Sequence, residues 1–70
     1  MSGDGGRYNV PGLERGLRIL QAFTPESREL AAGDIARDLD VPRSTVFRLI
    51  QTLEGMGFLV RGEGNRTYRL

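Results

Sequence analysis

The sequence predicts a mainly α-helical fold of three helices followed by a small β-hairpin. Two observations support this prediction. Apolar residues recur with the helical period in three successive segments between Leu13 and Met56. After Gly57 the pattern changes to the alternation that is typical of strands, with turn-forming residues between two short runs. At 70 residues the chain has room for one domain with one modest hydrophobic core.

Residues 1–11 are predicted to form a flexible arm, because they are rich in glycine and lack an apolar pattern. The domain then occupies residues 12–70. Its first helix begins at Leu13 and ends before Pro25, since the residue that precedes a proline avoids the helical conformation. The face of this helix that we assign to the core is formed by Leu13, Leu17 and Leu20.

A second apolar strip lies beside that face on the first helix and consists of Ile19, Ala22 and Phe23. One prediction is that this strip packs against its copy in another chain and gives a two-fold pair. The alternative is that Phe23 completes the core of its own domain.

The second helix is predicted over Ala32–Leu39, where apolar residues follow the i, i+3, i+4, i+7 spacing. Asp40 follows in a short turn, and aspartate tolerates the left-handed conformation better than most residues. The third helix runs from Pro42 to about Met56, with proline at the first helical position and Gly57 as a left-handed stop. Its apolar stripe consists of Val46, Leu49, Ile50 and Leu53.

The last part of the chain is predicted to be a hairpin, with strands over residues 58–61 and 66–70 and a four-residue turn between them. Tyr68 and Leu70 share the strand face that we expect to meet the helices. Leu30 can add a short third strand, since two strands alone are marginally stable. Three helices and such a hairpin are the layout of a winged helix-turn-helix domain.

The residue types exclude most kinds of catalysis. The chain has no cysteine and no histidine, so it lacks disulfides, the commonest metal ligands and the commonest general base. Ser44 is the best candidate nucleophile, yet no histidine, cysteine or lysine is present to activate it. We therefore expect no enzyme activity, no metal and no cofactor. The sequence also has no signal peptide and no apolar run long enough for a membrane span, which predicts a cytoplasmic protein.

The charge is distributed unevenly along the chain. Residues 1–41 hold five arginines against seven acidic residues, a net charge of −2, whereas residues 42–70 hold five arginines against two, a net charge of +3. All ten basic residues are arginine, which suits bidentate binding of phosphate and guanine and is also what a GC-rich coding sequence produces. The second part of the chain is thus the one suited to a polyanion.

In a helix-turn-helix unit, the second helix of the pair lies in the major groove of DNA. Here this is the third helix, and its side opposite the core stripe is polar. Ser44 and Thr45 can meet phosphate in the first turn. Arg48 can bind guanine, Gln51 can bind adenine, and Phe47 can touch a thymine methyl group. A solvated helix face is the alternative. The contacts predicted for this helix are Pro42, Arg43, Ser44, Thr45, Phe47, Arg48 and Gln51.

The hairpin offers a second surface for DNA. Arg61 and Arg66 flank a tip of small and polar residues, and a wing of this kind can place an arginine along phosphate or in the minor groove. The alternative is that these arginines pair with Glu63 on the protein surface. The contacts predicted for the wing are Arg61, Asn65 and Arg66.

Several stretches together resemble the isocitrate-lyase-regulator (IclR) family of bacterial transcriptional regulators. They are residues 12–20 (GLERGLRIL), 34–36 (DIA), 41–49 (VPRSTVFRL), Gly57 and 68–70 (YRL). The resemblance covers residues 12–70, and residues 42–49 with the opening Leu-Glu-Arg are its most specific parts. In two helical positions, Gly33 and Gly55 replace the better helix formers that are usual there, at about 0.5–1 kcal/mol each.

The resemblance implies sequence-specific binding of duplex DNA by a repressor or activator of catabolic genes. It implies a dimer or tetramer, and a two-fold pair would bind a pseudo-palindromic operator. It also implies a further C-terminal domain, absent from this sequence, that binds a small-molecule effector. The DNA contacts that it carries over by matching positions are Arg43, Ser44, Thr45 and Arg48 in the third helix, and Arg61 and Arg66 in the wing.

Two other functions remain as alternatives. One is a winged helix of another regulator family, against which the Leu-Glu-Arg opening argues. The other is a winged helix that contacts only proteins. That function predicts an acidic or apolar outer face on the third helix, and the face predicted here is neither.

Overall fold

The computed structural model describes residues 10–70, and for Asn65 the backbone only. This part of the chain contains three α-helices and a two-stranded antiparallel sheet, which confirms the predicted winged helix-turn-helix layout. The elements are α1 Pro11–Gln21, α2 Ala32–Leu39, α3 Arg43–Gly55, β1 Val60–Arg61 and β2 Tyr68–Arg69. Most of the arm predicted over residues 1–11 lies outside the described residues. Pro11, which was assigned to it, is instead the first residue of α1.

α1 begins earlier than predicted because proline fits the first turn of a helix, where its missing N–H is not needed. The carbonyl of Val10 accepts a hydrogen bond from the Glu14 amide at 2.9 Å and closes that turn. Arg18 and Glu14 form an i, i+4 salt bridge of 3.1 Å on the outer face. α1 ends at Gln21, before the turn that contains Pro25.

α2 has the predicted bounds, and its first turn is held by the Asp34 carboxylate, which accepts a hydrogen bond from the Ala31 amide at 3.2 Å. Asp40 ends it in the left-handed conformation with φ 56°, as predicted. Pro42 is not the first helical residue but the N-cap of α3, because its ψ of 141° is extended. An extended residue there lets the chain change direction between the two helices.

α3 ends at Gly55, and Gly57 follows two residues later with a φ of 88°, which confirms the predicted left-handed stop. The Phe58 amide donates to the Leu53 carbonyl at 2.9 Å, and the Gly57 amide donates to the Glu54 carbonyl at 3.1 Å, which together form a Schellman motif. The Leu59 amide also donates to Leu53, at 3.4 Å. Since these amides serve the helix end, β1 begins only at Val60 and the strand predicted from Phe58 is shorter than expected.

The hairpin pairs Val60 with Arg69 and Arg61 with Tyr68. Leu30 adds the predicted third strand as a single bridge, with its amide and carbonyl both bonded to Tyr68 at 3.0 and 2.8 Å. Tyr68 is buried, but Leu70 is mostly exposed, so its predicted place on the core face is wrong. β2 ends at Arg69, and Leu70 therefore lies beyond the paired residues.

The core contains residues from all three helices and from the hairpin. Its buried members are Ile19, Phe23, Ile35, Ala36, Val46, Ile50, Leu59 and Tyr68. The predicted stripes of α2 and α3 are thus confirmed, since their remaining members pack against this cluster. Leu59 is a core residue that the sequence analysis did not single out.

The predicted core face of α1 is wrong for Leu13 and Leu17, whereas Leu20 packs against the core as predicted. Leu13 and Leu17 are 62% and 51% exposed, whereas Ile19 and Phe23 are 0% and 8% exposed. The strip predicted to contact a second chain is therefore mostly core, its member Ala22 is half-buried, and the alternative that Phe23 completes the core is confirmed. The physical reason is tertiary packing, since Ile19 and Phe23 join one buried cluster with residues of α2, α3 and the hairpin. Helical period alone does not distinguish two adjacent apolar faces.

Candidate nucleic-acid interface

The outer face of α3 is positioned by the burial of its opposite side. Because Val46 and Ile50 are fully buried, the side chains on the opposite side of the helix point outwards. The predicted contacts Pro42, Arg43, Ser44, Phe47, Arg48 and Gln51 are all exposed, and Thr45 is half-buried. The hydroxyl of Thr52 donates to the Arg48 carbonyl at 3.2 Å.

A shallow hollow of about 420 Å³ joins this face to the start of α1. It is lined by Gly12, Arg15, Thr45, Arg48, Leu49 and Thr52. Arg15 is the residue that the sequence analysis missed. Arg15 is on the exposed side of α1, and only the packing of α1 against α3 brings it to this hollow.

The cations of this surface are not neutralised within the described part of the chain. There, salt bridges engage Arg18, Arg37 and Arg61. The arginines near the α3 face and the wing tip form none with the described residues: Arg15, Arg43, Arg48 and Arg66. The hollow has no acidic residue in its lining. This surface therefore presents positive charge and hydrogen-bond donors together.

The tip of the hairpin is a short 3₁₀ turn over Glu63–Asn65, with Gly64 in the left-handed region at φ 79°. Arg66 follows it and is exposed. The prediction for Asn65 concerns a side chain that lies outside the described residues. Arg66 therefore lies directly after the turn, two residues before the paired Tyr68.

Arg61 differs from Arg66 because it has partners within the domain. Its Nε donates to the Glu54 carboxylate at 3.2 Å, and its guanidinium lies 5.1 Å from the centre of the Tyr68 ring. The alternative considered for the wing arginines was pairing with Glu63. Among the described residues, Arg61 forms a salt bridge with Glu54, on α3. Arg61 thus ties the hairpin to the recognition helix.

Residues 10–70 contain no cluster of acidic side chains that could hold a metal ion. None of their helices is both long enough and apolar enough to cross a bilayer. What the exposed face of α3 does offer is guanidinium, hydroxyl and amide groups on one rigid helix, together with the exposed Phe47. These are the groups that bind phosphate oxygens, base edges and thymine methyl groups.

Comparison with known proteins identifies relatives of the same architecture. Residues 12–63 match the model of the IclR helix-turn-helix domain. Over 47 residues the chain is 45% identical to the HTH-type transcriptional repressor AllR of Klebsiella pneumoniae, covering 67% of this chain and 17% of the repressor. It is 33% identical over 61 residues to the HTH-type transcriptional regulator XynR of Escherichia coli, covering 87% of this chain and 24% of the regulator.

A solved structure of an IclR family transcriptional regulator from Brucella abortus superposes with a TM-score of 0.85 at 38% identity, over 91% of this chain and 25% of that one. The chain spans 17% to 25% of the length of these three relatives. The family match covers most of the domain, and it includes α3 and its outer face. The chain therefore belongs to the IclR family and contains its helix-turn-helix domain.

Proposed function

We propose that this chain binds duplex DNA in a sequence-specific manner, as the DNA-binding domain of a bacterial IclR-type transcriptional regulator. The observation that carries the proposal is Arg48, an exposed arginine without a salt bridge to the described residues, on the outward face of the second helix of the helix-turn-helix. A bidentate arginine on that face suits the O6 and N7 atoms of guanine in the major groove.

The neighbouring residues have complementary roles. Arg43, Ser44 and Thr45 lie in the first turn of α3, where contacts to the DNA backbone are expected, and Arg15 adds a cation from α1 beside Thr45. Gln51, one turn after Arg48, addresses a further base. The remaining proposed contacts are Pro42 and Phe47 in the recognition helix and Asn65 and Arg66 in the wing. Arg61 is omitted because Glu54 and Tyr68 hold it within the domain.

The whole protein is proposed to be a cytoplasmic regulator of catabolic genes, repressor or activator, that responds to a small molecule. The support is the family membership together with the length of the relatives, of which this domain accounts for a quarter or less. The effector is bound by a C-terminal domain in this proposal. It does not enter the DNA-binding domain itself.

A homodimer is part of the proposal, through a surface other than the one first predicted. An apolar groove of about 400 Å³ runs between α1 and the end of α3, and the exposed residues on it are Leu13, Leu17, Met56 and Phe58. No charged residue lines it, so a second copy meets no like charge there. Gly12, Leu49 and Thr52 line both this groove and the Arg48 hollow. A two-fold pair of domains is what a pseudo-palindromic operator requires.

The experiment is a binding measurement with a random-sequence duplex at low salt, followed by selection of preferred sequences from a randomised duplex library. Wild-type chain should bind the random duplex and enrich a subset of the library. Arg48→Ala should keep most low-salt binding but lose preference at one base pair per half-site, by about 5- to 150-fold. Arg28→Ala is the matched control, because it removes an exposed arginine near Phe23 and Leu70, away from the α3 face.

Circular dichroism verifies that each variant is folded. A folded Arg48→Ala variant with the wild-type base preference would remove Arg48 from base recognition. Failure of the wild-type chain to bind any duplex would favour the alternative of a winged helix that contacts only proteins.

A further inference from the structure

Gly33 occupies an unexpected position for a glycine. It is the second residue of α2, where alanine would be the better helix former. A Cβ atom built on Gly33 would lie 2.7 Å from Nη2, 3.3 Å from Cζ and 3.4 Å from Nε of Arg43. The guanidinium of Arg43 therefore rests on the backbone of Gly33, in the space that the side chain of any other residue would fill.

No ion pair with a described residue holds the Arg43 guanidinium in this place. The carboxylate next to Gly33 belongs to Asp34 and is already engaged. Its Oδ1 accepts from Arg37 at 2.8 Å, and its Oδ2 accepts from the Ala31 amide at 3.2 Å. Arg43 is thus placed by packing, and its charge and N–H donors stay available for a phosphate.

We propose that Gly33 is a positioning residue for DNA binding: its missing side chain provides the surface on which Arg43 lies at the start of the recognition helix. This inference rests on the proposed contact between Arg43 and the DNA backbone. It explains why a glycine that weakens α2 is present, because the side chain of a better helix former at this position would displace the Arg43 guanidinium. Gly33 itself touches no DNA in this proposal and acts through Arg43.

Gly33→Ala should therefore weaken DNA binding without lowering the stability of the fold. In Gly33→Ala the new methyl group would approach the far end of a flexible side chain, so Arg43 moves and the helix stays intact. The melting temperature should therefore stay unchanged or rise by up to about 8 °C. DNA affinity should fall, for all sequences about equally.

Gly55→Ala is the matched control. Gly55 is also helical, lies about 18 Å along α3 from Arg43, and has no atom within 4 Å of an added Cβ. This variant should melt about 2–8 °C higher and bind DNA as the wild type does. A general effect of glycine replacement would instead change binding in both variants.

The test is a double-mutant cycle with the 70-residue chain and a short random-sequence duplex, measured by fluorescence anisotropy over a salt series. Arg43→Ala should weaken binding by about 10-fold or more and make the log-affinity against log-salt slope shallower by about 0.9. Gly33→Ala should cause a smaller loss. In the Arg43→Ala background, adding Gly33→Ala should change affinity by a factor of about 1, since no guanidinium is left to displace.

A second readout needs no DNA. The ¹⁵Nε–¹Hε signal of Arg43, assigned by its loss in Arg43→Ala, should move or sharpen in free Gly33→Ala and stay in place in Gly55→Ala.

An unchanged signal, or a Gly33→Ala loss of affinity that is equally large without Arg43, overturns the role of Gly33 and leaves DNA binding intact. Wild-type affinity in Arg43→Ala overturns both the phosphate contact and this inference, while base recognition by Arg48 stands. No binding by the wild-type chain overturns the proposed function itself.

Discussion

The domain has two exposed surfaces of opposite character that meet along one edge. The α3 face carries exposed arginines, hydroxyls and an amide, whereas the groove beside it is lined only by apolar residues, glycines and Thr52. Gly12 and Leu49 contribute to both. The first surface suits a polyanion, for which desolvation is offset by charge. The second gains free energy only by contact with another apolar surface.

Exposure therefore has different meanings on the two surfaces. On the α3 face the exposed arginines Arg43 and Arg48 form no salt bridge with the described residues. In the groove an exposed leucine marks area that this domain alone leaves uncovered. Both kinds of exposed residue occur within α1: Leu17 is half exposed in the groove, and Arg15 lines the same hollow as Arg48. Ile19 on the same helix is buried. Three predictions test whether the two surfaces and the core are as separate as the structure indicates.

The largest effect is expected in the core. Ile19→Ala should lower the free energy of unfolding by about 2–5 kcal/mol, because it leaves a cavity among fully buried side chains. Leu17→Ala on the same helix should cost less than about 1 kcal/mol, since half of that side chain is already in water. Urea denaturation of both variants measures the difference. Equal losses would contradict the assignment of the α1 faces.

An intermediate effect is expected in the groove. Replacing Leu13 and Leu17 together by serine should raise the dimer dissociation constant by about tenfold or more, because about 2 kcal/mol of apolar burial is lost at the interface. Sedimentation equilibrium at high protein concentration measures this change. Arg28→Ser is the control and should leave association unchanged. A wild-type chain that stays monomeric, or a double variant that still pairs, would exclude this groove as the dimer contact.

The smallest effect is expected in the wing, where two arginines should behave differently. Arg66→Ala should make the salt slope of DNA binding shallower by about 0.9 and leave stability unchanged, since Arg66 has no salt bridge to the described residues. Arg61→Ala should leave the slope unchanged and lower stability by up to about 1 kcal/mol, through loss of the Glu54 and Tyr68 contacts. Salt titrations and thermal melts of both variants test this. The reverse result would place Arg61 at the DNA.

Local signals made much of the fold predictable. The bounds of α2, the apolar stripe of α3, the left-handed Asp40 and the stop at Gly57 all follow from residues within one or two turns of each other. The outer face of α3 was predictable for the same reason, because once the core stripe is known the opposite face is defined by helix geometry.

Other features depend on residues that are distant in sequence. The inward face of α1 is set by its packing against the other helices and the hairpin in one core, which helical period does not encode. The position of Arg15 next to Arg48, and of Arg61 next to Glu54, follows from how the helices and hairpin pack.

Gly33 shows most clearly the difference between what local sequence predicts and what tertiary packing decides. From the sequence it is a glycine that weakens a helix by a known amount. Only the packing of the start of α3 against the start of α2 puts the Arg43 guanidinium in the space that a side chain at position 33 would fill. The sequence determined which segments are helices and which of their faces are polar, because those properties are local. The tertiary structure decided which apolar face of α1 is buried and which side chains of different helices meet, because those contacts arise only when the elements pack together.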